Sequence, residues 1–321
     1  MVRPAVAALL SLALSGCVTT SPPDPCTMTL EDRAWLEGAL DTWRRVEPEW
    51  LMLEPQPPPT VVAIDGQCTF LLPQGRVEGA RASAHGGKLI LPDHVEVPLG
   101  PISFASGEGG YFVMSLPSVW RAAGVNSEFG LERLMEGVLL HEIMHIRQSD
   151  LATRVLADFV SAAGVPDDEL TDDILQERFG SDPEYAVAWA EERDALFAAA
   201  AAPDDAQARE LAGQALGLMR ARRARWFTGD KAPFSAMDDV FLTMEGMGQW
   251  LIYRYFLSPE GGGHPPEDAL RAVRRGGRQW SQDQGLALLL VVDRLLPGWQ
   301  QRAFRDPDWR AERLLAAAVE R

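Results

Sequence analysis

The 321-residue chain holds few cysteines, few histidines and no large basic patch. Each shortage excludes something. There are only three cysteines, with no CxxC spacing and no second pair, which is a poor zinc-finger signal. Beyond the first positions no run of about eighteen apolar residues occurs, so no spanning helix is expected. The net charge is −16, from 46 acidic and 30 basic side chains. A chain of that sign repels nucleic acid and anionic lipid surfaces, so no nucleic-acid partner is expected. The short basic run RARRARWF at 220–227 reads as the last turn of a helix, where cations suit the dipole. No GxSxG elbow is present, and Ser115 lacks a recognisable histidine partner, which argues against a serine hydrolase. The glycine-rich stretches at 107–110 and 261–264 follow no strand and open no clear helix, so they read as loops rather than phosphate cradles.

The N-terminus begins MVRPAVAALLSLALSGC: one arginine, an apolar stretch, then small residues. Residues 1–16 read as an export signal and 17–28 as a tether rich in Pro, Ser and Thr. The segment Leu14-Ser15-Gly16-Cys17 resembles the lipobox of bacterial lipoproteins. That resemblance implies lipidation of Cys17, a chain held to the cell envelope by a lipid anchor alone, and outer-membrane sorting in a Gram-negative host. An ordinary cleaved signal with an incidental cysteine is the other reading. With Cys17 set aside, Cys26 and Cys68 are either a disulfide, as an export compartment favours, or two buried thiols.

Residues 29–321 read as one α+β domain. Thr29, with Asp32 three residues on, caps a first helix to about residue 46, and Leu36, Leu40 and Trp43 recur at helical spacing. TVVAID, a turn at Asp65-Gly66 and CTFLL suggest a hairpin. Short β-type runs continue, so residues 60–116 predict a small, mostly antiparallel sheet. From Ser127, taken as a cap, the pattern turns helical through 127–321. Thr171 and Asp182-Pro183 open two helices, and others are expected at about 204–226, 237–257, 266–275, 281–296 and 307–320.

Within the first long helical stretch lies GVLLHEIMHIRQ, residues 137–148. On a helix, His141 and His145 at i and i+4 project from one face and reach one ion. Glu142 lies about 100° round and reaches a water on that ion without ligating it, so it is placed as a general base. Val138, Leu139, Leu140, Ile143, Met144 and Ile146 supply an uncharged surround, whereas Arg147 breaks it. The competing reading is a helix that merely carries two histidines. A third ligand is still needed. The continuation IRQSDL has neither Gly nor His in the register of HExxHxxGxxH, which rules out the metzincin type.

A glutamate from a later helix is then the remaining common option, and it should sit among apolar residues because a metal-bound carboxylate is buried. Glu245 shares a helical face with Phe241, Leu242, Ile252 and Phe256, and Gly246 and Gly248 beside it admit another helix. Glu192 shares one with Tyr185, Trp189 and Leu196. Either could instead be a buried carboxylate held by an arginine. MEGMGQW resembles the EGxA-E-[YW] segment of gluzincin-like zinc peptidases, in which HExxHxxQ precedes a helix whose Glu, just before Gly, completes the site. The matching residues are His141, Glu142, His145, Gln148, Glu245, Gly246 and Trp250, while Gly248 replaces the usual Ala and Gln249 the usual acid. The resemblance covers these two helices alone. It implies Zn²⁺ on His141, His145 and Glu245, with Glu192 as the alternative third ligand, and hydrolysis of a peptide or protein substrate. The alternative is a non-catalytic envelope lipoprotein that keeps a zincin-like metal-binding fold for binding or scaffolding.

Overall fold

The computed structural model describes residues 26–106, 109–165 and 170–320. The export signal, Cys17 and most of the tether lie outside the described residues, so nothing structural bears on them. The fold is of the α+β class: small sheets followed by a helical body. Helix α1 (Leu30–Glu49) starts where expected, the Thr29 Oγ1 accepting from Asp32 N–H at 3.1 Å. It runs past the expected end to include Pro48 in its final turn. Leu36, Leu40, Trp43 and Val46 are buried along its inner stripe.

The main sheet has the order β3-β2-β1-β7-β6. Its strands are β1 (Thr60–Ile64), β2 (Cys68–Leu72), β3 (Arg81–Ala84), β6 (Ser103–Ser106) and β7 (Tyr111–Ser115). A two-stranded ladder of β4 (Leu89–Ile90) and β5 (Glu96–Val97) folds over it, seating Leu89 and Leu91 against Val62, Ile64, Tyr111 and Val113. The sheet is mostly antiparallel, as expected, but its central pair is not: β1 runs parallel to β7, Val61 facing Phe112. Both central strands are covered on two faces, β7 being buried throughout, and this is the usual setting for parallel pairing. The β1–β2 turn is built by Asp65, whose Oδ1 accepts from Gln67 N–H and Cys68 N–H at 2.7 and 2.6 Å. Cys26 and Cys68 form a disulfide that joins the segment before α1 to β2. Strand β6 is left at the sheet edge.

Short α2 (Pro117–Ala122) leads to α3 (Leu131–Ala163), a helix about 50 Å long by its rise per residue. Ser127 does not cap it: its Oγ accepts from Phe129 N–H at 3.2 Å in a local turn, and Gly130, at φ +92°, occupies the cap position. The remaining helices are α4 (Ile174–Phe179), α5 (Pro183–Ala200), α6 (Asp205–Trp226), α7 (Phe234–Leu257), α8 (Pro266–Val273), α9 (Trp280–Leu295), α10 (Trp299–Arg305) and α11 (Ala311–Val319). Helix α4 opens at Asp173 rather than Thr171, whereas Asp182 caps α5 as expected. The last helix, α11, starts at Ala311 rather than near 307, and the short α10 before it is not among the expected helices.

Helix α7 packs between α3 and α9. Its approach to α9 is a backbone contact: a Cβ built on Gly246 would stand 2.6 Å from the Gly285 carbonyl. Only two facing glycines permit that crossing, and it brings α7 deep enough to aim Glu245 at α3.

Candidate metal centre

His141 and His145 leave the same face of α3, their rings 4.5 Å apart. Glu245 reaches them from α7, with Oε2 at 3.4 Å from His141 Nε2 and Oε1 at 3.2 Å from His145 Nε2. The three donor atoms lie within 4.8 Å of one another. The two nitrogen–oxygen distances, each to a different carboxylate oxygen, are near the edge of about 3.3 Å between neighbouring ligands of a tetrahedral zinc site. The donor set of two imidazoles and one carboxylate also suits zinc, leaving a coordination position open. The residues present therefore fit the ion.

The surroundings orient each donor. His145 Nδ1 sits 3.0 Å from Gln148 Oε1, so with Nδ1–H donating there the Nε2 lone pair points at the cluster. The Gln148 amide is anchored in turn by donating from Nε2 to Met247 Sδ at 3.1 Å, back on α7. Glu245, 5% exposed, accepts from Gln282 Nε2 at 3.0 Å. Gln282 Oε1 accepts from Arg275 Nε at 2.7 Å. Burial alone would raise the Glu245 carboxyl, but the His145 charge and hydrogen bonds to both histidines hold it well below the usual range. Burial disfavours a charged His145, but Glu245 outweighs that and lifts its pKa to about 9. A carboxylate that stays ionised while buried among nitrogen donors is the state a cation needs.

Gly248 bears on His141. A Cβ there would fall 2.3 Å from the ring Nδ1 and Cε1, so glycine is required at this position by how closely α7 approaches α3. Arg147, the charged residue in an otherwise apolar surround, donates from Nε to the buried Glu47 carboxylate at 2.6 Å and from Nη2 to Pro57 O at 3.0 Å. It ties α3 to α1 on the face away from the ligands.

Glu142 is not among the three donors. Its Oε1 accepts from Ser103 Oγ on the edge strand β6 at 3.1 Å. Two cavities meet at this point, one of about 790 Å³ and one of about 570 Å³. Both are lined by Ser103, Phe104, His141, Glu142, Asp172 and Gln282. The larger follows the C-terminal half of α3, through Thr153, Leu156 and Val160. The smaller follows its N-terminal half, through Leu134 and Val138, to the loop after α8.

Glu192 lies apart from the three donors. It is 0% exposed and lies on α5 in a buried ion pair, accepting from Arg222 Nε at 2.7 Å and from Gln284 Nε2. Arg222 also binds Asp238, and Arg223 binds Asp238, Asp239 and Glu312. The basic run near 220 does close a helix, α6, as expected, and two of its arginines, Arg222 and Arg223, are also buried and hold α5, α6, α7 and α11 together. Ser115 is buried and donates to Gly100 O, as befits a structural serine. His264 stacks on Phe129, with ring centroids 3.6 Å apart, and belongs to the packing of α7's far end. Ser103, Asp172, Arg275 and Gln282 were not singled out by the sequence. Each comes from a loop, an edge or a distant helix start, where no spacing rule links it to the histidines. No family model, curated protein or solved structure matches the chain, so the reading of this centre rests on its own geometry.

Proposed function

We propose that the protein is a zinc-dependent hydrolase acting on peptide bonds, with His141, His145 and Glu245 as metal ligands and Glu142 as general base. The observation that carries this is Glu142 held by Ser103 beside, and outside, a convergent His141–His145–Glu245 donor set. Zinc held there would polarise the attacked carbonyl and acidify a water. Glu142 then takes a proton from the attacking water and returns it to the leaving amine nitrogen as the C–N bond breaks. Ser103 fixes one carboxylate oxygen and leaves the other for that transfer. Gln148 and Gln282 keep His145 and Glu245 from rotating away.

A peptide substrate is supported by the cleft itself. Edge strand β6 contributes Ser103 and Phe104 to both cavities, so an extended chain laid along it would cross the donor set. A site in the cell envelope, through a lipid on Cys17, is proposed from the lipobox resemblance. The Cys26–Cys68 disulfide, which belongs to oxidising compartments, supports it.

The test is metal content by mass spectrometry together with peptide hydrolysis. Zinc is expected in the wild type and in Glu142→Gln but not in Glu245→Ala. Glu142→Gln should lose about 10²–10⁴-fold in rate. A purified wild type without zinc removes the metal assignment. Undiminished hydrolysis by zinc-loaded Glu142→Gln removes the mechanism. Zinc binding with no turnover on any peptide would favour the scaffold reading.

A further inference from the structure

The smaller cavity carries a cation that makes no ion pair among the described residues. Arg275 lines it together with His141, Glu142 and Gln282, while Trp120, Ile252 and Phe256 supply apolar wall. Its loop is built on the fully buried Asp283, whose Oδ1 accepts from Arg275 N–H at 3.0 Å and whose Oδ2 accepts from Gly277 N–H at 3.3 Å. The ion-pair contacts of that carboxylate go to Arg193 and Arg274, at 3.8 and 3.6 Å. The Arg275 guanidinium is fixed instead through Nε, which donates to Gln282 Oε1. Among the described residues, no carboxylate lies within ion-pair distance of it. Asp172, on the same cavity, makes no ion pair with it either.

The backbone here is also held in uncommon conformations. Gly276 and Gly277 have φ of +60° and +82°, and Gln279, itself a lining residue, has φ of +48° without being glycine. Such strain persists where the surroundings over-determine it, and it clusters at ligand clamps. In a chain of net charge −16, this guanidinium feels Glu245, Asp283 and Asp173 without pairing with any of them, and with Nε on Gln282 and Nη2 3.0 Å from the Gln249 amide it keeps Nη1 for an oxygen of an anion. Gln282 bridges it to Glu245, so the cation stands at a set reach from the donor set.

We infer that Arg275 anchors a carboxylate of the peptide substrate, with the apolar wall of Trp120, Ile252 and Phe256 receiving the side chain between that carboxylate and the scissile bond. This rests on the hydrolase reading for the role of the cleft. The carboxylate has two sources, the peptide's free C-terminus or an Asp or Glu side chain.

The test uses the full chain carrying Glu142→Gln, with and without Arg275→Gln or Arg275→Lys, and reads fluorescence anisotropy. The probe is a fluorescein-labelled pentapeptide of Gly, Ala, Phe and Leu in three forms: free acid, C-terminal amide, and the amide with one Glu. An acidic form should bind about tenfold more tightly than the neutral amide. Preference for the free acid identifies the C-terminus, and preference for the Glu form identifies a side chain. Arg275→Gln should bring the forms within about twofold while zinc content and Tm stay unchanged, and Arg275→Lys should keep part of the preference. Equal affinities in the Arg275 protein, no binding of any form, or a preference that survives Arg275→Gln overturns the inference. Discrimination in binding with no cleavage by the wild type would remove the hydrolase reading and leave the anchor. Cleavage without discrimination would do the reverse.

Discussion

Gly248 and His141 occupy one space between α7 and α3: a side chain on the first would stand 2.3 Å from the imidazole of the second. Gly248→Ala should therefore push His141 aside or part the helices. The expected result is loss of zinc stoichiometry with a stability cost of roughly 1–3 kcal/mol, the range for overpacking a close-packed interior. Metal analysis and thermal melts check it. Full zinc content at an unchanged Tm would show that the helices do not meet as described.

Gln148 is the residue that selects which nitrogen of His145 faces the cluster. Gln148→Ala should leave the fold in place, because among the described residues the amide hydrogen-bonds to His145 and Met247 alone. It should weaken zinc binding about 10–100-fold, the usual effect of losing a hydrogen bond behind a ligand. Competition against a chelator of known affinity measures this, and an unchanged affinity would refute the orienting role.

Two buried glutamates predict opposite phenotypes. Glu245→Gln should lose zinc, and Glu192→Gln should keep it. The second variant leaves Arg222 short of one carboxylate in a fully buried setting, so it should be destabilised by roughly 3–5 kcal/mol. Denaturant titration of the two variants beside their metal content separates them. Zinc loss in a still-folded Glu192→Gln would return that residue to the ligand set.

The metal-free protein should show a stability profile of known sign. Burial opposes the His145 charge, but Glu245 raises it from its ordinary 6.5 to about 9, so the raised group stabilises fully below about 6.5 and loses that contribution as pH climbs through about 9. Glu245 is depressed below its ordinary 4.5, so its contribution is present above that pH and is lost on acidification. Apo protein should thus be most stable between about pH 4.5 and 6.5 and lose on the order of 3 kcal/mol by about pH 9. Zinc, which displaces the shared proton, should flatten the alkaline side. Urea midpoints at pH 6, 7.5 and 9, with and without zinc, decide it. A flat apo profile would mean that the pair shares no proton.

What the sequence disclosed here followed the range of the interaction. His141, Glu142 and His145 lie within one turn or so of each other, and helix geometry alone orients them. Glu245 was readable as a buried carboxylate, but so was Glu192, since an apolar face looks the same whether the partner is an ion or a guanidinium. Arg222, the partner that distinguishes them, stands on another helix. The parallel β1–β7 pairing was hidden for a related reason: local alternation marks a strand but not its neighbour. Ser103, Gln282 and Arg275 reach the site through tertiary packing, and no periodicity announces them.

The Cys26–Cys68 bond has a mechanical consequence. A pull on the N-terminal tether enters the domain at Cys26, and the covalent link passes it directly to β2, next to the central strand β1. Helix α1, which leaves the same point, is thereby taken out of the load path. The sheet then takes up the pull, and its edge strand β6 is the one that presents Ser103 to Glu142.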